Sequence, residues 1–110
     1  MSLTDEEPKP IERISIQLMQ KPPLFSLGQI VATRGVVMHL QREGIDVSLY
    51  LSRHVRGDWG GVPPEDAAAN QWAVSNGMRI LSSYRIAGEK VWIITEADRS
   101  VTTLLFPNEY

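Results

Sequence analysis

The sequence predicts a single α+β domain, with three helices followed by a C-terminal antiparallel β-meander and room for one further strand from the N-terminal half. Three observations predict it. Between residues 33 and 77, apolar positions recur at helical spacing between good caps and glycine stops. After residue 79 the pattern changes to β-branched and aromatic runs. Two compact turn segments, "AGEK" and "EADRS", separate those runs. At 110 residues the chain is long enough for one hydrophobic core and too short for two.

Taken in order, residues 1–10, "MSLTDEEPKP", read as a disordered acidic tail, and residues 11–110 as the domain. "IERISIQLM" alternates Ile14, Ile16 and Leu18 with polar residues, so it either adds an edge strand or remains a mobile arm. The prolines of "KPPLFSLG" interrupt regular structure, and "GQIVAT" is short and β-branched. Thr33 then caps a helix from about Arg34 to Glu43, with Gly44 as its stop. A second helix follows Asp46, carries Val47, Tyr50, Leu51 and His54 on one stripe, and ends at Gly57. The third starts at Pro63 or Pro64, has Glu65 and Asp66 in its first turn, and ends at "SNG". The spacing of Ala68 and Trp72 predicts its packing face. "RILSSYRI", "VWIIT" and "VTTLLF" are the strands, and a two-residue turn at Gly88 and Glu89 would stack Arg85 on Trp92.

Composition narrows the chemistry. With no cysteine there is no disulfide, thiolate metal site or cysteine nucleophile, and His39, His54 and carboxylates are the remaining good metal ligands. No metal or other cofactor is expected. No apolar run reaches the roughly 20 residues that span a bilayer, and no apolar block follows a basic N-terminus in the pattern of a signal peptide, so the expectation is a cytoplasmic protein with no membrane partner. The net charge of -2 hides an acidic start: from Arg13 onward there are 10 basic and 9 acidic residues, and 8 of the 10 are arginine. An anionic partner is compatible with that body. Nucleotide-binding and hydrolase motifs such as G-x-x-x-x-G-K-[ST], G-x-S-x-G and H-E-x-x-H do not occur.

Two stretches concentrate reactive side chains. In "RHVRGDWGG", Gly57 ends the helix, Asp58 bonds turn amides and Trp59 closes the core; His54 and Arg56 are left over. In "TEADRSVTT", Asp98 and Ser100 suit a turn and the threonines suit strands, yet Glu96, Asp98, Arg99, Thr102 and Thr103 crowd beside Arg85 of the neighbouring strand. His54, Arg99 and Thr102 or Thr103, with Arg85, are the groups a metal-independent ribonuclease would need: a base for the 2′-hydroxyl and a cation for the phosphorane. That reading requires them within about 3 to 5 Å of one phosphate-sized site. His39, among the apolar neighbours of "VVMHL", reads as structural.

At "LGQIVAT", "RHVRGDWG", "GMRILSSYR" and "WIITEADRSVTTLLFPNEY" the chain resembles a family of small uncharacterised bacterial proteins carried on plasmids, phages and chromosomes, some labelled plasmid-related proteins or subunits of type I restriction enzymes. The resemblance covers about residues 27–110 and implies no particular activity. Where the family pattern has "TPG", this chain has "TRG", replacing the proline of the first helical position with Arg34 and keeping Thr33 as cap. In layout alone, helices before a meander with terminal Arg and Thr residues are similar to barnase-type and RelE-type ribonucleases.

The leading functional expectation is a non-catalytic interaction or inhibitor module of mobile-element origin, binding a protein partner through arginine and aromatic groups such as Arg56, Trp92 and the turn around Asp98. The alternative is the ribonuclease-like enzyme with RNA as substrate. Whether the chain is an enzyme turns on where His54 lies relative to Arg99.

Overall fold

The structure, a computed structural model, describes residues 22–110. The acidic tail and the alternating Ile14, Ile16 and Leu18 lie outside the described residues.

The helix signals act locally as their chemistry requires. Helix α1 spans Arg34–Glu43: the Thr33 side chain accepts from the Val36 amide at 3.2 Å, and Gly44 ends the helix in the left-handed conformation. Thr33 also donates to Glu109 Oε1 at 2.8 Å, while the same oxygen accepts from the Phe106 amide, so the chain's C-terminal turn is tied to the start of α1. Helix α2 spans Ser48–Val55, and the Ser48 amide donates to Asp46 Oδ1 at 2.9 Å. Helix α3 spans Pro64–Asn76, with Pro64 at its first position, Glu65 and Asp66 in its first turn and Gly77 as its left-handed stop.

The sheet has four strands: β1 Gln29–Ala32, β2 Ile80–Ile86, β3 Glu89–Thr95 and β4 Val101–Leu105. Their order is β1-β4-β3-β2. The meander β2-β3-β4 is antiparallel, and "QIVA" adds a strand parallel to β4, so the sheet is mixed.

One expected register is corrected. The β2–β3 turn is Ala87-Gly88, with φ of 48° and 85°, rather than Gly88-Glu89. Two positive φ values in a two-residue turn match the twist of the flanking strands. Pairing therefore moves by two residues and keeps every side chain on its expected face: Arg85 opposes Lys90, and Trp92 opposes Ser83. Trp92 packs against Tyr110, with ring centroids 5.7 Å apart, and does not lie opposite Arg85. The misleading signal was Ala87, because a residue with a Cβ seldom takes positive φ.

The packing face of α3 is corrected as well. Asn70 and Ala73 are buried and Ala67 and Val74 half-buried, whereas Ala68 and Trp72 point outward. The reason lies in β2. Asn70 Nδ2 donates to the Leu81 carbonyl at 2.7 Å, and its Oδ1 accepts from the Leu81 amide at 3.1 Å. A side-chain amide satisfies both groups of a strand residue, which the single indole N–H of Trp72 cannot.

Two apolar clusters hold the layers together. Val36 of α1 meets Tyr84, Ile86, Val91, Ile93 and Leu104 of the sheet, with Tyr50 and Leu51 of α2 packed against them. Trp59, Ala73 and Ile80 form the second, with Phe25 and Val62 at its margin. The segment carrying Trp59 lies along β2: the Ser83 amide donates to the Trp59 carbonyl at 3.0 Å, and the Gly61 amide to the Ser83 carbonyl at 2.7 Å. Gly60 has φ 74°, and a Cβ there would collide with the Ser83 backbone, so this approach requires glycine.

Candidate functional site

His54 is set by the last turn of α2, which points it under the sheet with 0 % of its surface exposed. Both ring nitrogens are occupied: Nδ1 is 2.6 Å from Ser82 Oγ and Nε2 is 2.9 Å from Thr95 Oγ1. Thr95 Oγ1 is 2.7 Å from Thr102 Oγ1, and Thr102 donates to the Leu27 carbonyl at 2.7 Å. Ser82, Thr95 and Thr102 are as fully buried as the imidazole. Phe25 and Trp59 pack edge-on to it, with centroids 5.2 and 6.2 Å away.

The carbonyl at the end sets the direction of the whole chain of bonds. A carbonyl only accepts and a hydroxyl has one proton, so Thr102 spends its proton on Leu27 and accepts from Thr95. Thr95 then accepts from His54, which must carry its proton on Nε2; bare Nδ1 accepts from Ser82. Burial favours the same neutral form, lowering the imidazole pKa to about 4. The stabilisation that a helix C-terminus offers a charged imidazole is outweighed here by desolvation. A serine hydroxyl on a neutral imidazole has the arrangement of an activated nucleophile. Here both partners are sealed from solvent, and the relay instead joins α2, all three meander strands and the segment before β1.

Arg99 is held elsewhere. It adopts φ 62° in the β3–β4 turn and directs its guanidinium at the end of α3, donating to the carbonyls of Ala73 (2.9 Å), Met78 (2.6 Å) and Glu96 (3.2 Å). A cation at a helix C-terminus satisfies carbonyls that lack intrahelical donors and opposes the helix dipole. Phe25 packs against both Arg99 and His54, its ring centroid 5.4 Å from the arginine Cζ and 5.2 Å from the imidazole centroid. Of the ribonuclease set, His54 and Thr102 are therefore brought into one network, Arg99 caps a helix, Thr103 is half-buried on the opposite sheet face, and Arg85 is exposed near the β2–β3 turn. Among the other candidates, Arg56 donates to Ser52 one turn earlier. Asp98 accepts from the amide and hydroxyl of Ser100, which hold its carboxyl below the ordinary range. His39 Nε2 donates to the Ile86 carbonyl at 2.9 Å, as a structural histidine would.

The exposed polar feature is a cleft of about 480 Å³ beside β2, lined by Arg53, Asp58, Gly60, Ser83, Arg85 and Lys90 among others. Arg53 donates through Nε to Asp58 Oδ2 at 2.7 Å and through Nη2 to Oδ1 at 3.3 Å, and this bond raises its pKa further. Its guanidinium lies 4.7 Å from the Tyr84 ring centroid. Tyr84 donates to the Asp58 carbonyl, and burial pushes its phenol up to about 12. The sequence reading did not select Arg53, Tyr84 or Lys90. Their signals were the five-residue spacing of Arg53 and Asp58, and the turn position that decides whether Arg85 faces Lys90.

Among the described residues, no group of three or more His, Cys, Asp or Glu side chains gathers as a metal site would require, and no helix is long and apolar enough to cross a membrane. No known protein family, curated protein or solved structure matches the chain.

Proposed function

We propose that the protein is a non-catalytic interaction module that binds a protein partner through the outer face of α3. The observation that carries this reading is Trp72, which stands 59 % exposed in the middle of a regular helix. Exposed Ala68 and Ala69 lie one turn away, and Met78 is 49 % exposed just beyond the helix. A tryptophan on a rigid element, flanked by small side chains that allow close approach, is the kind of anchor that dominates binding energy at protein interfaces. The sealed, neutral His54 supports the same reading, because it leaves the buried His54–Ser82–Thr95–Thr102 network with a structural task. An accessory or inhibitor role for a mobile element is the biological setting suggested by the resemblance to plasmid- and phage-borne proteins.

The test is an affinity capture from the native host using the full chain and a Trp72→Ala variant. The expected result is a protein recovered by the parent and lost by the variant, with both chains equally folded. Recovery of RNA in place of protein would overturn the protein-binding reading, and RNA cleavage in chelator abolished by His54→Gln and by Arg99→Gln in folded protein would establish the ribonuclease alternative.

A further inference from the structure

Arg85 and Lys90 are register partners across β2 and β3, so two like charges stand side by side on one face of the sheet. Such a pair is mutually repulsive, and an anion between the two would relieve the repulsion. The carboxylate lining the same cleft, Asp58, is engaged by both Arg53 and the Gly60 amide. Among the described residues, the Arg85 guanidinium donates to the neutral Gly88 carbonyl at 3.0 Å, and neither it nor the Lys90 ammonium has an ion pair. Among the described residues, the cleft is lined by three cations and one carboxylate, an excess of two positive charges.

We propose that this cleft, between Arg53, Arg85 and Lys90, is a binding site for the dianionic phosphate group of a small phosphate monoester. The charge matches: a monoester carries about -1.5 to -2 at neutral pH, enough to neutralise the excess, whereas a phosphodiester or a carboxylate brings one charge. Geometry supports the match. Arg85 and Lys90 stand at paired strand positions, Arg53 is held in place by Asp58 and Tyr84, and all three line the one cleft. A cleft of about 480 Å³ holds a phosphate together with a small organic body. None of the lining belongs to α3, so the site stands whether or not Trp72 anchors a protein partner.

Amide chemical shifts of the full chain, followed by NMR during titration at constant ionic strength, test the site. Three probes are compared: phenyl phosphate, dimethyl phosphate and acetate. Saturable shifts centred on Gly60, Gly61, Ser83, Arg85 and Lys90 are expected with phenyl phosphate, at an affinity at least ten-fold tighter than with either monoanion. The double variant Arg85→Gln/Lys90→Gln, whose changes fall on exposed side chains, is expected to fold, to melt no lower than the parent without ligand, and to lose at least ten-fold in affinity. Equal shifts with all three probes would overturn the proposal as mere ionic attraction. Tighter binding of the diester would assign the cleft to a nucleic-acid backbone instead, and undiminished binding by the double variant would place the anion elsewhere.

Discussion

His54 donates from Nε2 to Thr95 Oγ1 at 2.9 Å, and that single bond connects the helical layer to the centre of the sheet. Thr95 passes its own proton to Thr102, its register partner on β4, so the imidazole and two strands share one directed network. Removing any member leaves a buried donor or acceptor without a partner.

His54→Ala removes the imidazole and strands two buried hydroxyls, and is expected to destabilise the fold by about 3 kcal/mol or more. Thr95→Val, close to isosteric, should cost about 1 to 3 kcal/mol, since it leaves the Nε2 proton unsatisfied. Urea unfolding of both single variants and the double variant checks the coupling: the double change should cost clearly less than the two separate losses combined.

Stability should fall as pH drops below the ordinary histidine range. Because burial lowers the His54 pKa from 6.5 to about 4, the unfolded chain takes up a proton between these values that the folded chain refuses. The contribution is complete above pH 6.5 and declines towards pH 4, by up to about 3 kcal/mol over the window. Denaturant unfolding at pH 7 and at pH 4.5 should show the loss in the parent, with a smaller slope in His54→Gln. The carboxyls of Asp46 and Asp98, held low by Ser48 and Ser100, titrate below this window.

Arg99→Ala should cost about 1 to 2 kcal/mol by uncapping α3, with no dependence on RNA or any other ligand. Arg99→Gly should be milder than Arg99→Ala by about 1 kcal/mol, because glycine tolerates the positive φ at that position. Thermal or urea unfolding of the pair distinguishes the loss of the cap from the cost of the backbone conformation.

Ala87→Gly should stabilise the hairpin by about 0.5 to 1 kcal/mol, since Ala87 sits at φ 48° in the β2–β3 turn with its side chain exposed. A rise in melting temperature without a change in the sheet's chemical-shift pattern is the expected readout.

Trp72→Ala should leave stability within about 0.5 kcal/mol of the parent, as expected for an exposed site that belongs to neither apolar cluster. Loss of the captured protein by this variant alone would then report on the surface rather than on the fold.

The helix boundaries, the meander and the assignment of Gly57, Asp58 and Trp59 to helix termination and core closure were legible in the sequence, because caps, stops and strand alternation are local signals. What failed were judgements that depend on partners distant in sequence. Asn70 outcompeted Trp72 for the interior because the Leu81 backbone, 11 residues later, needed an amide partner. The β2–β3 register depended on whether Ala87 would accept a positive φ, a choice its neighbours in the sheet impose. Whether the imidazole met solvent or the hydroxyls of Ser82, Thr95 and Thr102 depended on Phe25 and Trp59 covering it. Charge pattern alone did not reveal the cleft, since Arg53, Arg85 and Lys90 come together only once the strands are in register.

The structural role of His54 requires a neutral, enclosed ring with its proton on Nε2. Long-range ¹H–¹⁵N correlation NMR of the histidine ring, recorded from pH 8 down to the onset of acid unfolding, measures both the tautomer and the titration. An Nε2-protonated ring that shows no titration until pH approaches 4 is the predicted result. A ring that titrates near 6.5, or that carries its proton on Nδ1, would contradict that role and return His54 to the list of reactive groups.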